Sequence, residues 1–332
     1  RKRIRSGETD IAIGTHALIQ ESVEFRNLAL GVIDEQHRFG VLQRAALRRK
    51  AATAPHLLVM TATPIPRTLA IALYGDLDVS VIDEMPRGRI PVRTRIVPEG
   101  ERREAFEAVR RDLDQGGRAY VVLPLVEQSE KLALRDATRT AARIREAFPG
   151  AGVGLLHGRM KAEEKESTMR LFQEGALRIL VSTTVVEVGI DVPEATVIVI
   201  EHAERFGLSQ LHQLRGRVGR GSRPSSCFLM VGDAQGEEAA ARLSIMERTT
   251  DGFRLAEEDL RIRGPGDFAG VRQSGIPDLV FADLVRDAGM LQVAKELAEE
   301  LHRRDPDLSA PVHEGIRRFL GRREGTVVER AG

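Results

Sequence analysis

The sequence predicts an α/β protein built on parallel sheets, and three features carry that prediction. Short apolar, β-branched runs alternate with longer amphipathic stretches, the pattern of strands buried on both faces and joined by covering helices. At 332 residues the chain exceeds one ordinary core and suits two domains plus a tail. Pro86-Arg-Gly88-Arg-Ile-Pro91 interrupts the alternation and marks a linker.

In chain order, Ile11-Ala-Ile leads to Gly14-Thr15-His16 as the end of a first short strand. Leu28–Ile33 and Leu57–Met60 are unbroken apolar runs and follow as strands. Beyond the linker, Tyr120–Leu123, Val153–Leu156, Ile179–Ser182, Val197–Ile200 and Phe228–Val231 repeat the pattern. Arg102–Leu113, Arg139–Phe148 and Ala162–Phe172 read as the helices between them. From Gln235 the signal becomes helical, with Glu237–Thr249, Phe253–Ile262 and Leu284–His302 flanking a glycine-rich loop ahead of a polar tail. The expected division is therefore 1–87, 88–235 and 236–332.

Composition narrows the function. The formal charge is +1, so affinity for nucleic acid has to come from local clusters, and all but six of the 50 basic residues are arginine. No apolar run approaches eighteen residues and no signal-peptide pattern is present, which argues against a membrane partner or export. The lone Cys227 excludes an internal disulfide and a cysteine zinc cluster, and a cytoplasmic location is expected. The chain opens at Arg1 in mid-pattern, so a fragment lacking its N-terminal part is expected.

The most informative stretch runs from Ser182-Thr183 to Gly189-Ile-Asp191, followed by Gln213-Leu-Arg-Gly216-Arg217-Val-Gly219-Arg220-Gly221. On a helix start or tight turn, Arg217 and Arg220 point to one side and offer planar forks of donors suited to phosphate oxygens. A solvated basic patch is the bland alternative. The interleaved glycines weigh against it, because each costs about 1 kcal/mol in a helix interior and suggests close backbone approach instead.

A second constellation ends the Leu28–Ile33 strand in Asp34-Glu35. Ligands of open α/β sheets bind at carboxyl ends of strands. One carboxylate there can hold Mg²⁺ through its water shell while its neighbour takes a proton from attacking water. Thr61 and Thr63 end the next strand, where hydroxyls can reach that site, although Thr63-Pro64 equally suits a helix start. One part is missing: a phosphate-cradling Gly-x-x-x-x-Gly-Lys-[Ser/Thr] loop, since no lysine follows a glycine. Either that loop lies upstream of Arg1 or the chain does not hydrolyse ATP.

Together these residues resemble superfamily 2 nucleic-acid translocases, and most closely the RecG family. Asp34-Glu-Gln-His37-Arg-Phe-Gly40 is similar to motif II and Thr61-Ala-Thr63-Pro-Ile-Pro-Arg67-Thr-Leu69 to motif III. Leu156-His-Gly-Arg159-Met160, Ser182–Pro193 and Gln210–Gly221 are similar to motifs IVa, V and VI. Arg263-Gly264-Pro-Gly266-Asp-Phe268 with Arg272-Gln273-Ser-Gly275 resembles a translocation segment that this family shares with the transcription-repair coupling factors.

The resemblance implies two RecA-like domains, the first incomplete at its N-terminus, followed by a helical hairpin and loop. ATP and Mg²⁺ are the implied cofactors, and branched double-stranded DNA, such as stalled forks and Holliday junctions, the implied partner of a monomer. Asp34 is implied to coordinate Mg²⁺, Glu35 to activate water, and Gln213, Arg217 and Arg220 to face the triphosphate. His37, Thr61, Thr63, Gly189 and Asp191 are implied to couple nucleotide to domain movement. Thr15, Arg159 and Thr183 are the DNA-phosphate candidates. Arg263, Gly264, Gly266, Arg272 and Gln273 are implied in translocation. A coupling-factor motor and a hydrolytically inactive DNA-binding fragment are the alternatives.

Overall fold

The computed structural model describes residues 1–20, 22–35, 47, 50, 55–62, 78–86, 88–124, 130–183, 191–232, 236–263 and 287–329. The chain divides into two compact units, Arg1–Ile65 with Val81–Gly264 and Pro66–Ser80 with Pro265–Gly332.

In the first unit, helix α1 (Lys2–Ser6) precedes strands β1 (Leu30–Ile33) and β2 (His56–Val59), which pair in parallel from Leu30↔His56 to Ile33↔Val59. The expected strand ending at Gly14 is absent. Ile11 and Ile13 are 79% and 94% exposed, and Thr15 instead caps a 3₁₀ turn, His16–Leu18. The run is too short, and no described strand lies beside it to complete its hydrogen bonds. On the β1–β2 pair, Leu30, Val32 and Leu58 leave more than half of their surface in solvent.

The other sheet has six parallel strands: β3 (Arg93–Pro98), β4 (Arg118–Leu123), β5 (Val153–Leu156), β6 (Ile179–Thr183), β7 (Ala195–Ile200) and β8 (Ser226–Val231). Their order is β3-β8-β7-β4-β6-β5. Five match the sequence expectation within two residues; β3 was not anticipated. Side chains of a strand alternate between faces, so each central strand feeds two cores. Ala119, Val121 and Leu123 pack with Ala105, Val109 and Leu113 of α2 (Arg102–Asp114) and Ala137, Ala141 and Ile144 of α3 (Glu130–Ala147). Tyr120 and Val122 face the opposite side. There they meet Phe172 of α4 (Ala162–Glu174), Leu211 of α5 (Leu208–Arg215), Met246 of α6 (Glu237–Arg248) and Leu255 of α7 (Gly252–Arg263). Central strands covered on both faces explain the unbroken apolar runs seen in the sequence.

A buried arginine ties the second core to the sheet edge. Arg215, 4% exposed, donates through Nη1 to Thr94 Oγ1 of β3 (3.3 Å) and to the carbonyls of Met246 (2.9 Å) and Thr249 (2.8 Å). Its Nη2 lies 3.1 Å from Nδ1 of His212, whose basicity burial pushes down to about 4, so the ring stays neutral and accepts. The guanidinium thus satisfies carbonyls at the C-terminus of α6, where a cation also suits the helix dipole.

In the other unit, α8 (Ala288–Arg304) and α9 (Glu314–Glu329) are joined by a turn organised on one carboxylate. Asp305 accepts from the amides of Ser309 (2.8 Å) and Ala310 (2.9 Å) and from His313 Nδ1 (2.6 Å). Helix α9 falls where the sequence suggested only a polar tail, and α3 starts nine residues before its expected Arg139. Among the described residues no helix is long and apolar enough to cross a membrane.

Two stability predictions follow from these ties. Arg215→Ala removes the donor to one buried and one half-buried carbonyl and is expected to cost about 3 kcal/mol in denaturant unfolding, with Arg215→Lys restoring only part because it lacks the planar fork. The His313 contact, then the two amides, hold the Asp305 carboxyl well below its ordinary 3.8. Its stabilising contribution is therefore complete above the unfolded-state value near pH 4 and is lost as the pH falls further. Asp305→Asn should lower the melting temperature at pH 7, with the gap to the wild type closing as the pH falls below 4.

Candidate functional site

The register of β1 and β2 brings the first constellation to one edge. Ile33 pairs with Val59, and the Met60 amide donates to the Ile33 carbonyl at 2.8 Å, so Asp34-Glu35 and Thr61 leave the carboxyl ends of adjacent parallel strands. Both carboxylates are exposed. Glu35 holds a left-handed backbone, φ 54°, a conformation that costs a residue with a side chain about 1 kcal/mol. The Asp34 carboxylate offsets part of that by accepting the Glu35 amide at 2.9 Å. Strain of this kind concentrates where a side chain has to be aimed. His37 and Thr63 lie outside the described residues.

Oxygen donors at this edge fit Mg²⁺, which takes one or two carboxylates and fills its remaining positions with water and substrate phosphate. Among the described residues no group of three or more His, Cys, Asp or Glu could hold a metal.

The second constellation sits on the six-stranded sheet. Leu208, Leu211 and Leu214 bury one face of α5 and leave Gln213 half-buried on another. Arg217 follows in a continuing turn, its amide donating to the Leu214 carbonyl at 3.0 Å. Gly219 then takes φ 76°, so a left-handed turn lies between Arg217 and Arg220. The interleaved glycines do permit close approach. A Cβ on Gly219 would lie 2.6 Å from Val92 Cγ2, and one on Gly221 would lie 2.6 Å from the Pro193 carbonyl oxygen.

Arg220 is held from two sides. Its Nε donates to the Gly216 carbonyl (2.9 Å), and its Nη1 reaches Asp191 Oδ1 (3.4 Å). Asp191 is itself anchored: its carbonyl accepts from Gln173 Nε2, in the last turn of α4, at 3.3 Å. Phe172, the residue before Gln173, packs on Tyr120, 1% exposed, with ring centroids 5.0 Å apart. Burial pushes the Tyr120 phenol up to about 12, against the opposing pull of Arg217 and Arg220. Gly189 is outside the described residues. Sequence reading missed Gln173 and Tyr120, and no local pattern marks either one.

Of the nucleic-acid candidates, Thr183 ends β6 with its hydroxyl buried and, like that of Ser182, without a hydrogen-bond partner among the described residues. His157, next to it across the sheet through the Leu156↔Ser182 pair, also has an unpartnered buried Nδ1. Arg159 is exposed in the turn after β5, beside an open depression lined by His157, Met160 and Thr168. The structure brings Thr183 and the Arg159 turn to one sheet edge; Thr15 lies on the 3₁₀ turn of the amino-terminal segment. Arg263 is the last residue of α7, and Gly264, Gly266, Arg272 and Gln273 fall outside the described residues.

Comparison with known proteins finds relatives over most of the chain. Residues 103–222 match the helicase conserved C-terminal domain, and residues 249–331 match domain 3, C-terminal, of the ATP-dependent DNA helicase RecG. The chain is 54% identical over 309 residues to the ATP-dependent DNA helicase RecG of Synechocystis, covering 93% of this chain and 37% of that protein. It is 55% identical over 299 residues to RecG of Thermotoga maritima, covering 90% of this chain and 38% of that protein. A solved structure of RecG bound to a three-way DNA junction superposes with a TM-score of 0.65 at 49% identity, covering 88% of this chain and 37% of that one. Mss116p bound to single-stranded RNA and AMP-PNP, at 14% identity and a TM-score of 0.52, shares the fold alone, with 74% of this chain and 53% of that one covered. The chain thus spans less than half the length of these RecG relatives, and over that span, with its RecA-like parallel sheets and trailing helices, it belongs to the RecG family of DNA helicases.

Proposed function

We propose that the chain is the motor portion of an ATP-dependent double-stranded DNA translocase that remodels branched DNA, forks and Holliday junctions, in recombination and repair. The observation that carries the reading is the fixing of Arg220 by Asp191 and the Gly216 carbonyl, three residues beyond Arg217 on a turn braced by glycines. Residues 1–87 serve as the carboxyl-terminal part of one RecA-like domain, 88–235 as the second, and 236–332 as the translocation segment with its tail. The junction in the RecG structure above supports branched DNA as the partner. The protein acts as a monomer in the cytoplasm.

In this reading Asp34 holds Mg²⁺ through water and Glu35 accepts the proton of the attacking water. Mg²⁺, when bound with ATP, neutralises charge on the phosphates. Gln213, Arg217 and Arg220 face the phosphoryl group in transit, where their fixed donors favour the transition state. His37, Thr61, Thr63, Gly189 and Asp191 pass the state of the nucleotide to the rest of the domain. Thr15, Arg159 and Thr183 bind DNA phosphates, which suits tracking without sequence preference. With no tryptophan and only Tyr74 and Tyr120, the chain has few platforms for stacking bases. Arg263, Gly264, Gly266, Arg272 and Gln273 act as the lever on the duplex.

Three measurements test the reading. These 332 residues contain no phosphate loop, so the chain alone is expected to show negligible ATPase activity, and DNA-stimulated turnover at a helicase rate would overturn that. In the full-length protein, Arg217→Ala or Arg220→Ala should lower turnover by roughly 10³ to 10⁵ while DNA binding holds. Unchanged turnover in both would reduce these arginines to a solvated patch. Gln273→Ala should spare DNA-stimulated hydrolysis and abolish junction unwinding, because it breaks transmission and not chemistry. A parallel fall in both activities would place Gln273 at the nucleotide site or in the fold.

A further inference from the structure

Helix α4 starts immediately after the His157–Met160 turn and ends beside Asp191. At its first turn the Lys161 amide donates to Glu164 Oε2 (3.0 Å) and Lys165 Nζ donates to the Gly158 carbonyl (2.9 Å), so the turn that carries Arg159 is fastened to the helix. At its last turn Phe172 is fully buried against Tyr120, which stops the helix from sliding or rotating. The next residue, Gln173, leaves the core and spans to the Asp191 carbonyl, and Asp191 Oδ1 meets Arg220 Nη1. The contacts form an unbroken series from the turn that carries Arg159 to the terminal nitrogens of Arg220.

Arg220 needs such a constraint. It is exposed, and the left-handed Gly219 just before it separates it from the regular turn that places Arg217. A flexible arginine pays side-chain entropy when fixed in one rotamer, and a positioned carboxylate lessens that cost. The Asp191 carboxylate can do this only if its own backbone is held, and among the described residues Gln173 is a side chain that holds it.

We propose that Gln173 is a positioning residue for phosphoryl transfer, setting the place of Arg220 through Asp191 and linking it by α4 to the DNA-contacting turn at Arg159. The inference rests on the nucleotide role given to Arg220 above. Gln173 touches neither nucleotide nor DNA. Its amide is needed as a donor, so Gln173→Glu, of the same shape but unable to donate to a carbonyl, should behave like Gln173→Ala.

A double-mutant cycle in the full-length protein tests this, with steady-state ATP hydrolysis measured at saturating branched DNA. Gln173→Ala and Gln173→Glu are each expected to lower kcat about fivefold, the order of one net hydrogen bond, with KM for ATP unchanged. In the Arg220→Ala background the same substitutions should cost nothing further, because the group they position is gone. A residue that merely stabilises the fold would cost the same in both backgrounds and would lower the melting temperature in step; that additivity, or wild-type kcat in both single variants, overturns the inference. Wild-type kcat in Arg220→Ala itself would instead overturn the nucleotide reading, and the inference with it.

Discussion

The arrangement of the candidate nucleotide face depends on how closely the chain after α5 can pack onto its neighbours. Gly219 and Gly221 sit where any side chain would collide with Val92 or Pro193, and Arg215 anchors the same segment from below through buried hydrogen bonds to β3 and the end of α6. Interiors pack densely enough that such contacts fix position to fractions of an ångström. Two arginines four and seven residues beyond Gln213 can therefore present their charges at one place without sharing a helix. The three arginines of this short stretch divide the work: Arg215 is spent on the fold, and Arg217 and Arg220 are left to the surface.

That division was only partly legible in the sequence. The glycine spacing pointed to close approach, and the structure supplies the partners. The same spacing suited a helix start or a tight turn for Arg217 and Arg220, and the left-handed Gly219 selects the turn. The helicase motifs were readable because each is a local run of residues with its own chemistry. The ties from Gln173 to Asp191 and from Arg215 to Thr94 were not, since they join residues 18 and 121 positions apart and leave no local signature.

The fold was legible to the extent that burial was two-sided. Strands β4, β6, β7 and β8 are covered on both faces and stand out as apolar runs. Edge strand β3 escaped notice because it alternates, with Arg93 and Arg95 exposed and Thr94 turned inward to meet Arg215. Ile11-Ala-Ile erred in the other direction. Its residues have strand propensity, but propensity without a neighbouring strand gives no ladder. Helix α9 was missed although Ile316, Phe319 and Leu320 carry the spacing of three and four, because the arginines around them dominate the composition.

The exposed sides of β1 and β2 govern how the chain behaves as a material. Leu30, Val32 and Leu58 form a patch on a parallel pair whose faces, in sheets of this kind, are otherwise packed beneath helices. Water tolerates such a patch poorly, and two copies can each relieve the other. With a net charge near zero, long-range repulsion does little to keep them apart. Aliphatic side chains on this two-stranded ribbon, at whose carboxyl end Asp34 and Glu35 stand, thus weigh on how concentrated a solution of this chain can be.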